Sequence, residues 1–207
     1  MKKKHIIFDM DGTLTDTARA TSEALCISGK KHSLPAVTKE NIRNAMGLSG
    51  MDFYTFLFPD TSVEVLHEAE LEVDAAEEAI ISVLKSDLLF PGIVDLLAGL
   101  SAAGYFLYIA STGSTRHVYN TLNSCGIEGF FTSISCNEPS KIAMVKRLIV
   151  FSDVNEWVMV GDMYKDSEAA RGNGILALGA GFGYLTENNY PLFDAVLYKP
   201  ADIYDYL

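Results

Sequence analysis

Two aspartates stand two residues apart in Asp9-Met10-Asp11-Gly12-Thr13, directly after the short apolar run His5-Ile6-Ile7-Phe8. Alternate residues of an extended chain share a face, so both carboxylates can turn toward one point. Gly12 lets the backbone bend sharply beside them. One acid can attack phosphorus while the other handles protons, which makes the segment a candidate phosphoryl-transfer centre. Asp and Gly after a strand are also ordinary turn residues, so the remaining strand ends must decide.

Those ends carry a matching set. In open parallel sheets, ligands sit outside the carboxyl ends of the strands. After the run Phe106 to Ala110 come Ser111, Thr112, Gly113 and Ser114; after Trp157 to Val160 come Gly161, Asp162 and then Asp166. Lys141 opens the helix after Thr132 to Cys136. Phosphoryl transfer to Asp9 sets an anion against an anion, so a hard cation is required, and Mg2+ prefers carboxylates, carbonyls and water. Asp162 can supply a second carboxylate, and Asp166, one helical turn later, can orient it or a metal-bound water. Ser111 and Lys141 can hold phosphoryl oxygens, with backbone N–H groups near Met10 and Asp11 as a cradle. Asp11 is then free to protonate the leaving oxygen and later to activate water. Singly, each piece has a plainer reading: Ser111 to Ser114 as a helix-capping turn, Lys141 as a solvated cation, Gly161-Asp162 as a strand-end turn. Their occurrence together at successive strand ends is what favours chemistry.

These residues need a sheet to position them. From Tyr105 onward short apolar runs alternate with segments of helical period, the pattern of a parallel sheet with crossover helices. Strands are predicted at Phe106 to Ala110, Thr132 to Cys136, Trp157 to Val160, Leu176 to Ala180 and, as a short edge, Ala195 to Leu197. Helices are predicted at Arg116 to Cys125, Lys141 to Phe151 and Tyr164 to Asn173. His5 to Asp9 adds a first strand, so the sheet starts early and resumes late. Between them, Asp16 to Lys85 shows no strand-period run, and Val63 to Leu84 has apolar residues at helical spacing. The expected fold is α/β, a Rossmann-like parallel sheet with an inserted α-helical cap. Its core is 1–15 and 87–207, and its cap is 16–86. The return is marked by Phe90-Pro91-Gly92 and a helix from Ile93 to Ala103.

Composition narrows the function. A chain of 207 residues with 49% hydrophobic content can bury a full core. Twenty-seven acids against 16 bases give a net charge of -11, which repels nucleic acid and anionic membranes. Cys26, Cys125 and Cys136 are widely spaced, without a CxxC pair, and read as reduced thiols. Lys2-Lys3-Lys4 is followed by too few apolar residues for a secretory signal. A cytoplasmic monomer or weak dimer is expected.

The chain resembles the haloacid dehalogenase superfamily, in its phosphatase branch with a helical cap after the first strand. The likeness spans essentially the whole chain. It rests on Asp9-Met10-Asp11-Gly12-Thr13-Leu14-Thr15-Asp16, Tyr108-Ile109-Ala110-Ser111 and Val160-Gly161-Asp162-Met163-Tyr164-Lys165-Asp166. The resemblance implies that Asp9 is the nucleophile and Asp11 the general acid/base. It makes Ser111 and Lys141 the phosphoryl ligands, and gives Mg2+ to Asp9, Asp162 and the Asp11 carbonyl, with Asp166 supporting. An acid at Asp11 argues against the dehalogenase and phosphonatase branches. Many relatives carry Gly-Lys-Pro before the third helix, whereas this chain has Asn137-Glu138-Pro139-Ser140-Lys141, so Lys141 is the replacement cation.

The cap is expected to close over the site as a lid. Gly47-Leu48-Ser49-Gly50 can reach the cleft, or serve only as an interhelical turn. Arg43, Asn44, Ser49 and, near Ser111, Thr112 are candidate substrate contacts. Phe53, Tyr54, Phe56 and Phe58 read as cap core, the acids Glu64 to Glu78 as a solvated helix face, and His32, His67 and His117 as surface or helix residues. The cap layout is most similar to phosphoglycolate phosphatase relatives. The leading expectation is a hydrolase acting on a small phosphorylated metabolite; a phosphosugar mutase resembling beta-phosphoglucomutase and an inactive binding module are the alternatives.

Overall fold

The computed structural model describes residues 3–48, 50–149 and 152–207. Within them, six strands form one sheet: β1 (His5–Phe8), β2 (Phe106–Ser111), β3 (Phe131–Cys136), β4 (Trp157–Gly161), β5 (Leu176–Ala180) and β6 (Ala195–Leu197). Every pairing is parallel and the order is β3-β2-β1-β4-β5-β6. The order reverses beside β1, so the crevice at that switch point lies against the ends of β1 and β4. Phe8 stands level with Ile109 and Val160, so the residues that follow these strands emerge together.

Side chains alternate across the sheet as the strand period requires. Ile6, Phe8, Leu107, Ile109, Val158 and Val160 face one side, packed under α5 (Ile93–Ala102) and α6 (Thr115–Ser124). Ile7, Ala110, Trp157, Met159 and Ala177 face the other, against α7 (Lys141–Leu148) and α8 (Tyr164–Gly172). All of β4 is buried, as expected of a central strand covered on both faces.

The insertion holds α1 (Thr17–Lys31), α2 (Lys39–Ala45), α3 (Met51–Leu57) and α4 (Val63–Leu84). It has its own apolar cluster, built on Leu25, Ile42, Tyr54, Phe58, Leu66 and Val73. Phe56 departs from the expected cap core and is exposed. The chain leaves and re-enters the sheet layer through two adjacent segments: the Asp16 N–H donates to Leu88 O (2.8 Å) and the Phe90 N–H to Leu14 O (3.0 Å). Tyr184 ties the layers, since its N–H donates to Gly12 O while its hydroxyl donates to Asp16 and accepts the Ala18 N–H.

The helix α1 has no clear signature in the sequence because its buried face is made of small and polar residues, among them Thr17, Ala20, Thr21, Ala24 and Ser28. The predicted end of α7 at Phe151 lies outside the described residues.

Candidate active site

The site begins where β1 stops. The Asp9 N–H still donates to Val160 O (2.9 Å), and the chain then folds back so that Met10 O accepts from Leu14 (2.8 Å) and Thr15 (3.1 Å). Gly12 makes this turn at φ +84, and a Cβ there would lie 2.5 Å from Asp162 Oδ2. The turn thus needs glycine for its conformation and for the space beside the carboxylate. Thr13 donates its hydroxyl to Asp162 Oδ1 (2.7 Å).

Asp9, Asp162 and Asp166 are buried, with carboxylate oxygens within 4.8 Å of one another. Gly161 admits this crowding: a Cβ on it would sit 2.2 Å from Asp166 Cγ. One buried cation offsets the three acids. Lys141 Nζ lies 2.8 Å from Asp9 Oδ1 and 2.6 Å from Asp166 Oδ1. Ser140 starts α7 by accepting the Ala143 N–H, which sets Lys141 as the first helical residue. Lys141, expected as the replacement cation, lies beside Asp9 and Asp166.

Charge remains in excess. Burial, then the Asp166 carboxylate, raises the Asp9 pKa against the pull of Lys141. Burial, then Asp9 and Asp166, raises Asp162. Burial opposes the Lys141 charge, yet Asp166 and then Asp9 hold its pKa above the usual lysine value. Asp162 Oδ2 is buried and makes no hydrogen bond among the described residues. An orphaned carboxylate oxygen beside two further carboxylates suits a hard divalent cation. Both oxygens of Asp166 are engaged, one by Lys141 and the other by the Met163 N–H (2.9 Å), which fits it for support more than for direct ligation.

Asp11 has different company. Its Oδ1 accepts from Thr17 Oγ1 (2.5 Å) and lies 3.0 Å from His117 Nε2. The other ring nitrogen of His117 is 3.5 Å from Glu77 Oε2 on α4. Burial disfavours charge on His117, but Asp11, then Glu77 and Asp74, push its pKa up to about 10. With both nitrogens protonated, the ring bridges the sheet layer and the cap. In return, although burial raises the Asp11 pKa, the His117 charge and hydrogen bond and the Thr17 hydroxyl leave it lowered overall. His117 is therefore a half-buried helix residue paired with Asp11, more than the surface or helix position expected of it. Its signal was positional: it lies in the first turn of the helix following the Ser111 strand end.

Two cavities meet at Asp11. The smaller, about 20 Å³, is bounded by Asp9, Asp11, Ser111, Thr112, Lys141 and Lys165. Ser111 Oγ accepts the Gly113 N–H (3.1 Å), which leaves its proton for a ligand oxygen. Lys165 donates to Gly47 O (2.7 Å) and fastens the cap loop over this space. The larger cavity, about 280 Å³, runs between Asp11, Thr112 and His117 below and α3 and α4 above. Phe53 and Tyr54 line it as well as the cap. The acids of α4 are not simply a solvated face: Glu70, Asp74, Glu77 and Glu78 line this cavity, although Asp74 is exposed as that reading has it. Their spacing of four, three and one places them on a single helix face, a signal the sequence did carry.

The structure thus brings together Asp9, Asp11, Ser111, Thr112, Lys141, Asp162 and Asp166. It does not bring Arg43 to either cavity; its guanidinium lies over the Tyr184 ring, 5.0 Å from the centroid. Asn44 is exposed and borders neither cavity, and Ser49 lies outside the described residues.

Residues 6–180 match the family of haloacid dehalogenase-like hydrolases. The chain belongs to that family. Among curated relatives, the phosphoglycolate phosphatase of Agrobacterium fabrum is 26% identical over 190 residues, covering 86% of this chain and 80% of that protein. The phosphoglycolate phosphatase of Caulobacter vibrioides is 27% identical over 194 residues, covering 88% and 81%. A solved hydrolase of the haloacid dehalogenase-like family from Streptococcus pneumoniae superposes with a TM-score of 0.84 at 25% identity, over 99% of this chain and 98% of that one. In this hydrolase family the shared fold is not itself a substrate assignment, and the two cavities must supply one.

Proposed function

We propose that the chain is a Mg2+-dependent phosphomonoester hydrolase acting on a small phosphorylated metabolite through an aspartyl-phosphate. The observation that carries the reading is the placement of Asp11 on the wall shared by both cavities. A phosphoryl group seated in the smaller one faces Asp9, and its leaving oxygen points past Asp11 into the larger. Residues 16–86 are the cap in this reading, and residues 1–15 and 87–207 the catalytic core.

Asp9 attacks phosphorus and the bond to the leaving oxygen breaks. Lys141 and Ser111 hold the non-bridging oxygens, which carry the charge of a loose transition state. Asp11 gives the leaving oxygen its proton. It is a carboxylate when paired with His117, and a phosphate dianion arriving beside it favours the protonated form. After the leaving group departs, the Asp11 carboxylate takes a proton from the water that attacks the aspartyl-phosphate, and phosphate is released. Mg2+, held by Asp9, Asp162 and by resemblance the Asp11 carbonyl, with Asp166 in support, would neutralise the repulsion between carboxylate and phosphate.

Hydrolysis is favoured over a mutase because, among the described residues, the larger cavity offers no spare cation for a second phosphate. Its Arg116 and His117 are already paired with Glu78 and with Asp11 and Glu77. An inactive module is disfavoured because each role at the sheet edge has a residue. Free thiols at all three cysteines suit a reducing compartment such as the cytoplasm, and no helix among the described residues is long and apolar enough to cross a membrane. The test is phosphate release from p-nitrophenyl phosphate with and without Mg2+. Activity should need the metal and vanish in Asp9→Asn; no turnover across a broad panel of phosphate esters refutes the proposal.

A further inference from the structure

The larger cavity is the leaving-group chamber on grounds independent of its charge: it opens on Asp11, the only route for a proton to the leaving oxygen in the proposed reaction. This inference rests on that proposal and concerns what the chamber selects. Among the described residues, its wall carries five carboxylates, from Asp11 and the four acids of α4, against Arg116 and His117. With His117 protonated, three negative charges are in excess.

The excess is localised. Arg116 spends both its contacts on Glu78, at 2.5 Å each. His117 is shared between Asp11 and Glu77, and Glu77 also accepts the Thr21 hydroxyl (2.5 Å). Asp74, an exposed residue, has no cation within ion-pair distance among the described residues and feels the His117 charge only at longer range; the Tyr54 hydroxyl donates to it at 3.3 Å. Among the described residues Glu70 pairs only with His67, a side chain 63% exposed that does not line the chamber. Asp74 lies three residues before Glu77 on α4, roughly 4.5 Å further along the helix, and Glu70 roughly 6 Å beyond that. Carboxylates without an ion-pair partner inside the chamber therefore begin about one helical turn past Asp11 and its histidine.

We infer that the substrate is the phosphate ester of an amino alcohol, whose protonated amine is received by Asp74 and Glu70 while its ester oxygen faces Asp11. An ammonium offers several hydrogens to two carboxylates that otherwise repel one another. A leaving group ending in a carboxylate meets the same wall as a third like charge. The chamber therefore selects against phosphoglycolate, although the curated relatives described above are phosphoglycolate phosphatases.

The test compares kcat/KM for three esters of the same length: O-phosphoethanolamine, ethylene glycol monophosphate and phosphoglycolate. Glucosamine 6-phosphate against glucose 6-phosphate repeats the comparison at sugar length, which a chamber of about 280 Å³ can admit. The amine should be preferred to its hydroxyl analogue by about tenfold or more in at least one length, with phosphoglycolate the poorest of its set. Asp74→Asn and Glu70→Gln, singly, should each reduce the amine-to-hydroxyl ratio and improve phosphoglycolate relative to both. Because the readout is a ratio within one protein, it survives a loss of overall activity. Turnover of p-nitrophenyl phosphate with no amine preference at either length, or with phosphoglycolate preferred, overturns this inference and leaves the phosphatase proposal standing. Absence of turnover on every ester, p-nitrophenyl phosphate included, overturns both.

Discussion

Replacing Lys141 by methionine keeps the apolar stem of the side chain and removes the ammonium that offsets three buried acids. Its ammonium lies 2.8 Å from Asp9 and 2.6 Å from Asp166, and the side chains of Lys141, Asp9 and Asp166 are 5%, 9% and 0% exposed. At an effective dielectric of about 20, each contact represents about 6 kcal/mol of gross attraction. Desolvation of the lysine cancels much of that, so the net worth is far smaller than the sum. What the substitution exposes is the partner's problem: carboxylates left buried without a cation cost about 3–5 kcal/mol. Urea denaturation at pH 7.5 without metal should show a loss of that size. The variant should gain more than wild type on acidification, because acids whose folded pKa lies above the unfolded value bind protons on folding, and stability then rises as pH falls. Burial and mutual repulsion already raise Asp9 and Asp162, and loss of Lys141 extends that shift. Saturating Mg2+ should narrow the gap. Phosphatase activity should fall by about 100-fold or more, as for loss of a donor to developing charge. A variant within about 1 kcal/mol of wild type at pH 7.5, with the same pH profile, refutes the view that Lys141 neutralises this cluster.

Three further outcomes follow from the geometry. Gly161→Ala forces a Cβ to within 2.2 Å of Asp166 Cγ, so it should cost about 3 kcal/mol through overpacking and displaced hydrogen bonds; retention of wild-type stability and activity would show that Asp166 has room to move. His117 has a folded pKa raised to about 10 against 6.5, so its contribution to stability is fully present below pH 6.5 and is lost as pH rises through about 10. The stability difference between wild type and His117→Asn should shrink across that window, and a constant difference would count against the bridge. Lys165→Met removes the donor to Gly47 O, worth about 0.5–1.5 kcal/mol. It should raise KM by up to about tenfold with little change in thermal midpoint, and unchanged KM would show that this contact does not hold the cap loop.

The sheet was legible because its strands obey simple patterning. Buried parallel strands read as continuous apolar runs, and Trp157 to Val160 and Leu176 to Ala180 could be drawn almost to the residue. Site residues at strand ends were legible for a related reason: once the sheet is parallel, position along the chain fixes which edge a residue occupies. The insertion was harder. Thr17, Ala20, Thr21, Ala24 and Ser28 form the buried face of α1, and small polar residues give no apolar stripe to find. His117 lies on a helix, as one of its two readings had it, but its contacts and those of the α4 acids were missed because they depend on two elements meeting. A histidine on one helix and a carboxylate on another show no spacing between them in the sequence, although Glu77 and His117 lie side by side. Arg43 attracted notice as a cation near a glycine loop, and its contact with the Tyr184 ring depends on a tyrosine more than a hundred residues away.

The division at Asp11 suggests how chemistry and selection are separated in this chain. Among the described residues, the lining of the smaller cavity comes from the strand ends and from Lys141 and Lys165, apart from the cap residue Gly47. The chamber beyond is walled largely by α3, α4 and the loop before α3, with Thr112 to His117 as its floor. The two regions share Asp11, Gly47 and Thr112; in the proposed reaction Asp11 serves any leaving group, and His117 joins it to Glu77 in the cap. Changes at Glu70 or Asp74 can therefore alter the charge that a leaving group meets without rearranging Asp9, Lys141 or Asp162. Changes at Glu77 cannot, because that residue acts on Asp11 through the histidine. On this argument the cap is not uniformly free to vary: its distal acids are open to respecification, while the turn of α4 above His117 is bound to the reaction itself.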